Sequence, residues 1–276
     1  MKLSKFIPFL LVSVLLLTSC TTGKSNETTA IVTSVSATDE VITSSQPEMI
    51  HLPQIEDDRS RQLLNFPGVE WGMSAEDIIQ ALALNETDYE LISDRWQKLC
   101  VYNVNCFDTP ATKVEFYLDL DSGFDITGLQ SILVYYPSGT DMDSVKTVLE
   151  KNYGPAQSSY KYYFPEDYAG NTIGKEKENG VPFEMKFLDE NECCWMSHAN
   201  IDDYLAGDVL DEFLAHWLAD SSNAKMPVIS EYVKIEPISR IFWQVNYKSN
   251  MTEGAQNVLQ FGSHCAALQT YVEHWE

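Results

Sequence analysis

Residues 113–120, KVEFYLDL, and 129–136, LQSILVYY, decide the fold. In the first run Val114, Phe116, Leu118 and Leu120 alternate with Lys113, Glu115, Tyr117 and Asp119. This is the period-two pattern of an antiparallel strand with one face in the core and the other half-exposed. The second run reads as its partner, across a turn containing Asp121, Ser122 and Gly123. Tyr89 to Ile92 and Leu99 to Val104 read as shorter strands of the same sheet.

Helical patterns bracket these strands. Ser74 supplies a capping hydroxyl, Glu76 and Asp77 place acid at the positive end of a helix, and Ile78, Ile79 and Leu82 form one apolar face. A second helix is predicted from Asp141 to Tyr153, with Val145, Val148, Leu149 and Tyr153 on one stripe and Gly154 and Pro155 as its stop. The pattern then recurs. Strands are expected at Tyr160 to Phe164, Val181 to Phe187 and Cys193 to His198, with a polar loop from Pro165 to Gly180. A third helix follows from Asp208 to Ala219, then a late strand over Ile241 to Tyr247 and a closing helix around Leu268 to Trp275. The plan is α+β, an antiparallel sheet with helices packed on one face. Its repetition suggests two related helix-plus-strands units divided near residue 155.

Ahead of this body, residues 51–276, the chain begins with Lys2 and Lys5, an apolar run from Phe6 to Leu17, and then Leu17, Thr18, Ser19 and Cys20. A bilayer core needs about 20 apolar residues in a helix, so the run is too short to span and reads as an export signal. Its end resembles the lipobox of bacterial lipoproteins. That resemblance implies cleavage after residue 19, diacylglycerol on the Cys20 sulfur, and a body held on a membrane outside the cytoplasm. Residues 20–50 are rich in Ser and Thr and lack aromatics, the composition of a tether, with a root-mean-square span of roughly 30 Å.

Charge narrows the partners. The chain carries 41 Asp and Glu against 18 Lys and Arg, a net charge of −23, and loss of the signal with Lys2 and Lys5 deepens the imbalance. Nucleic acid is excluded as a partner, because phosphates demand clustered Lys and Arg. Attraction to anionic lipid is excluded on the same ground, which leaves the membrane contact to the lipid on Cys20.

Five cysteines follow Cys20. Cys100 and Cys106 are close enough in sequence to close a small loop, and Cys193 or Cys194 could reach Cys265. The odd count leaves a thiol over, and a fully reduced set remains the alternative. Cys193, Cys194, His198, His264 and Cys265 are the soft-ligand residues, but their spacing matches no metal pattern and they read as ordinary core groups. Asp119, Asp121, Gly123 and Asp125 begin like a calcium loop. The position requiring a bidentate Glu is Gln130 or Ile132, so they read as an acidic hairpin turn. No cofactor or metal is expected.

No catalytic signature is present. Gly72, Met73, Ser74, Ala75, Glu76 lacks the second glycine of a nucleophile elbow. FPGVEWGMSAED at 66–77 and EKNYGPA at 150–156 resemble a diffuse group of bacterial lipoproteins in which such a helix start and helix end bracket a small αββ unit. The unit is similar to those of outer-membrane assembly lipoproteins and β-lactamase inhibitor protein. The resemblance covers roughly residues 66–165 and implies a binding protein. Trp71 and Trp96, outside the core spacing, are the aromatic candidates for contact with a partner. The expected function is a binding or assembly module for an envelope protein or cell-wall component. The alternative is an envelope hydrolase with dispersed acidic catalytic residues.

Overall fold

The protein's structure, a computed structural model, describes residues 49–93, 97–118, 128–163, 176–197, 237–248 and 256–263. Both central helices form where their caps place them. Ser74 Oγ accepts a hydrogen bond from Asp77 N and the Asp77 carboxylate accepts one from Ser74 N, a reciprocal box that starts α2 (Ala75–Ala81). Asp141 caps α3 (Met142–Tyr153), which ends at Gly154 with φ +87°, a conformation that glycine alone adopts without strain. A short α1 (Asp58–Gln62) precedes them, capped by Asp57. No helix among the described residues is long and apolar enough to cross a membrane.

The strands are β1 (Ile50–His51), β2 (Tyr89–Ser93), β3 (Gln97–Val101), β4 (Val104–Cys106), β5 (Thr109–Pro110), β6 (Lys113–Tyr117), β7 (Ser131–Tyr136), β8 (Ser159–Tyr163), β9 (Glu176–Glu178), β10 (Val181–Phe187), β11 (Glu192–Met196), β12 (Ser239–Tyr247) and β13 (Gln256–Ser263). Seven of them form the central antiparallel sheet, in the order β11-β12-β13-β7-β6-β3-β2. Two three-stranded sheets, β1-β4-β5 and β8-β10-β9, complete the described structure. The architecture is thus α+β and mostly antiparallel.

Several sequence expectations change here. The run Leu99 to Val104 is two strands, because the chain turns at Asn103 with φ +55°. β9 lies inside the stretch expected to be loop. β13 has no clean alternation in its sequence, yet it lies between β12 and β7. The sheet therefore takes strands from both sides of residue 155, and a division there does not separate two cores. The predicted helices at 208–219 and 268–275 lie outside the described residues.

The register sets two apolar rows across one face. Leu99, Phe116, Ile132, Phe261, Ile241 and Trp195 form the first, and Val101, Val114, Val134, Leu259, Trp243 and Cys193 the second. Ile78 of α2 and Met142, Val145 and Leu149 of α3 belong to the same buried cluster. Phe66 keys it, meeting Phe107, Phe116 and Phe261 edge-on at centroid distances of 6.0, 5.7 and 5.3 Å. Each such ring pair adds about 0.5–1.5 kcal/mol beyond the area it buries. Phe107 accepts a left-handed backbone, φ +53°, to stack on Phe261 at 5.9 Å.

Candidate functional site

The opposite face of the central sheet contradicts the expected alternation. Glu115 and Tyr117, placed on the half-exposed face by their period, are only 4% and 6% exposed. The Glu115 carboxylate accepts hydrogen bonds from Lys113 Nζ (2.7 Å), Tyr117 OH (2.8 Å) and Tyr135 OH (3.1 Å), with Lys98 Nζ at 3.7 Å. Burial alone would raise its carboxyl. The bonds from Lys113 and Tyr117 and the charges of Lys113 and Lys98 outweigh that and hold it below the ordinary carboxylate range. Burial and the Glu115 charge push both phenols up, so they remain proton donors. A carboxylate kept ionised by two lysines offers no proton to a substrate. This cluster is a lock, not an acid catalyst.

Cys100 and Cys106 are unbonded thiols, against the expected small loop. The reason is strand geometry: Leu99 and Val101 face the core that holds Cys106, so Cys100 between them faces the other way. There its Sγ lies 3.9 Å from Glu115 Oε1, and burial followed by the Glu115 charge raises its thiol. Neighbouring Cys193 and Cys194 likewise point to opposite faces. Burial raises them to about 11 and about 12, so both are neutral thiols rather than metal-ready thiolates. Among the described residues no His, Cys, Asp and Glu converge in a metal-binding group. Trp71 is a second correction. It is a core residue, 8% exposed, whose indole N–H donates to Leu63 O at 3.1 Å. Cys20, Trp96, the Asp119 to Asp125 turn, His198, His264 and Cys265 lie outside the described residues.

The structure supplies a different candidate where α3 ends. A cavity of about 690 Å³ is lined by Arg61, Gln62, Leu64, residues 152–157, Trp195, Met196 and Ser197. This lies within the range of ordinary ligand sites. Its walls are bolted together by hydrogen bonds between distant segments. Trp195 Nε1 donates to Gly154 O at 2.7 Å, Tyr153 OH to Asn65 O at 2.7 Å, and Ser197 OH to Gln62 O at 2.5 Å. Ser239 OH holds Leu63 O from below. Arg61 is steadied by Asp58 Oδ1 (3.1 Å) and Ile55 O (3.0 Å). A smaller cavity of about 70 Å³, bordered by His51, Asn105, Asp108 and Lys151, shares Asn152 with the larger one. No residue of either cavity was singled out in the sequence as a functional candidate. The one signal pointing there was Gly154 followed by Pro155, which marks where α3 stops and the wall turns.

The larger cavity contains no Asp, Glu, His or Cys among its described lining residues. Its hydroxyls, on Tyr153 and Ser197, are engaged with backbone carbonyls. The described lining offers hydrogen bonding, apolar contact and the guanidinium of Arg61, and holds no carboxylate, imidazole or thiol. No protein-family model, curated protein or solved structure matches this chain.

Proposed function

We propose that the chain is a lipid-anchored extracytoplasmic lipoprotein, held on a membrane through Cys20, whose body is a binding module for an envelope component. The observation that carries this reading is the cavity at the end of α3. It has the volume of a ligand site, its walls are prefixed by cross-segment hydrogen bonds, and its lining holds the groups of recognition rather than of hydrolysis. A hydrolase would need two facing carboxyls or a nucleophile with its base. The most buried carboxylate described, Glu115, is committed to Lys113, Tyr117 and Tyr135 instead. The likeness of residues 66–77 and 150–156 to small αββ binding lipoproteins, with helices on one face of an antiparallel sheet, supports the same reading. The segment 150–156 contributes the cavity wall.

Two measurements test it. Cells fed a radioactive fatty acid should label the wild-type protein and not a Cys20→Ser variant, which should leave the membrane fraction; an unlabelled wild-type band sinks the anchor. Lipidated protein in detergent, titrated by calorimetry with envelope peptides and peptidoglycan fragments, should bind one class saturably and release it unchanged. Cleaved product would make the chain an enzyme.

A further inference from the structure

We infer that the cavity docks an extended peptide segment of another protein, which adds as a strand beside Met196, where the outer edge of β11 is unpaired among the described residues. This rests on the binding-module reading and names its ligand class. Val245 N donates to Asn191 O at 2.9 Å and Ser197 N to Ser239 O at 3.0 Å, so the odd-numbered residues along β11 turn their backbone groups toward β12. The even-numbered residues present N–H and C=O to the opposite edge. Cys194 uses both there: Gln157 N donates to its carbonyl at 2.8 Å and its own N donates to Gln157 O at 3.0 Å. Continued antiparallel, that register would set Pro155 against Met196. Proline has no N–H to give, the pair does not form, and Pro155 and Met196 both line the cavity instead. Met196 therefore presents a backbone donor and acceptor to the cavity, with no partner among the described residues.

Around this edge stand the carboxamides of Gln62, Asn152 and Gln157, also without a side-chain partner among the described residues. Each carries a donor beside an acceptor, the complement of a peptide group. A strand edge with an unpaired backbone donor and acceptor, as at Met196 among the described residues, flanked by such groups, is the arrangement used when a peptide is captured by strand addition. A sugar would instead need an open aromatic face. Trp195 does not supply one, being 2% exposed with its indole N–H held on Gly154 O. The chain's net charge of −23 favours approach of a neutral or basic segment, while Arg61, the one cation among the described lining residues, stands beside Asp58 and offers itself to a backbone carbonyl.

The test pans the lipidated protein in detergent against a random hexapeptide library and measures the strongest binder by fluorescence anisotropy. Loss of one or two good hydrogen bonds is worth about tenfold in affinity. The combined variant Gln62→Ala, Asn152→Ala, Gln157→Ala, its melting matched to wild type by circular dichroism, should lose at least about that much. So should a peptide N-methylated on alternate backbone nitrogens, assayed on the unaltered protein; this arm needs no variant to fold. A library that yields no binder, or a binder indifferent to N-methylation, overturns the inference. Tetra-N-acetylchitotetraose serves as the sugar probe. Its binding in place of any peptide would overturn strand addition and leave the binding module standing, whereas silence from both probes would remove both.

Discussion

On one face of the central sheet the register lines up Leu99, Phe116, Ile132, Phe261, Ile241 and Trp195; one residue along each strand, on the other face, it lines up Cys100, Glu115, Leu133, Gln260, Phe242 and Cys194. The first row is held by apolar packing, with one hydrogen bond at its end from Trp195 Nε1 to Gly154 O. Each side chain there contributes according to the area and contacts it buries, and a lost group costs in proportion. The second row is held at Glu115 by charge and hydrogen bonds drawn from three strands. Its contribution is conditional: the carboxylate is stable where it is only while its donors are present.

The contrast predicts how each face breaks. Phe66→Ala removes the ring that meets Phe107, Phe116 and Phe261, and should cost about 3–5 kcal/mol in urea unfolding. A loss of under about 1 kcal/mol would show that the apolar face closes over the gap. Lys113→Met strips the nearest cation from Glu115. Because the Lys113 side chain is 34% exposed and Lys98 remains 3.7 Å away, about 2 kcal/mol is expected rather than the full value for an orphaned buried charge. Adding Glu115→Leu to that variant should restore part of the stability, since it removes the stranded charge while taking the acceptor from Tyr117 OH and Tyr135 OH. A double variant no better than the single would refute a conditional lock.

Acid should separate the faces without mutation. Glu115 titrates lower in the folded protein than its ordinary value of 4.5, so its stabilisation is complete above that pH and drains as pH falls through the folded value. A Glu115→Gln variant should show a flatter loss of melting temperature across that acid window. The exposed caps Asp57, Asp77 and Asp141 are also held low, first by their hydrogen bonds from Ser60, Ser74 and Ser144, and both proteins share that slope. Ser74→Ala lies on neither face. It should cost about 1 kcal/mol through loss of the α2 cap, and its acid profile should keep the Glu115 contribution unchanged.

The same contrast explains what could be read from residues alone. Alternation and caps reveal one strand or helix at a time, so the pair β6 and β7, the Ser74 start and the Gly154 stop were legible. Burial of the polar face was not, because Lys98 and Tyr135, which join Lys113 and Tyr117 around Glu115, sit on neighbouring strands. Cys100 and Cys106 are near in sequence, but facing is set by strand parity and not by separation. β13 escaped notice because Val258 and Leu259 are adjacent and point to opposite faces, leaving Leu259 and Phe261 as the inward pair. The cavity is built from three distant segments and had no local signature beyond its proline.

The place of β13 also bears on how the chain folds. It is the last described strand in the sequence and occupies the middle of the sheet, pairing with β12 on one side and β7 on the other. Residues 256–263 are the strand through which β11-β12 and β7-β6-β3-β2 join in one sheet. Unpaired strand edges are sites of misassociation, and long-range closure of this kind is slow. In a chain made amino terminus first, β13 is thus the last of the described strands to become available for closing the sheet.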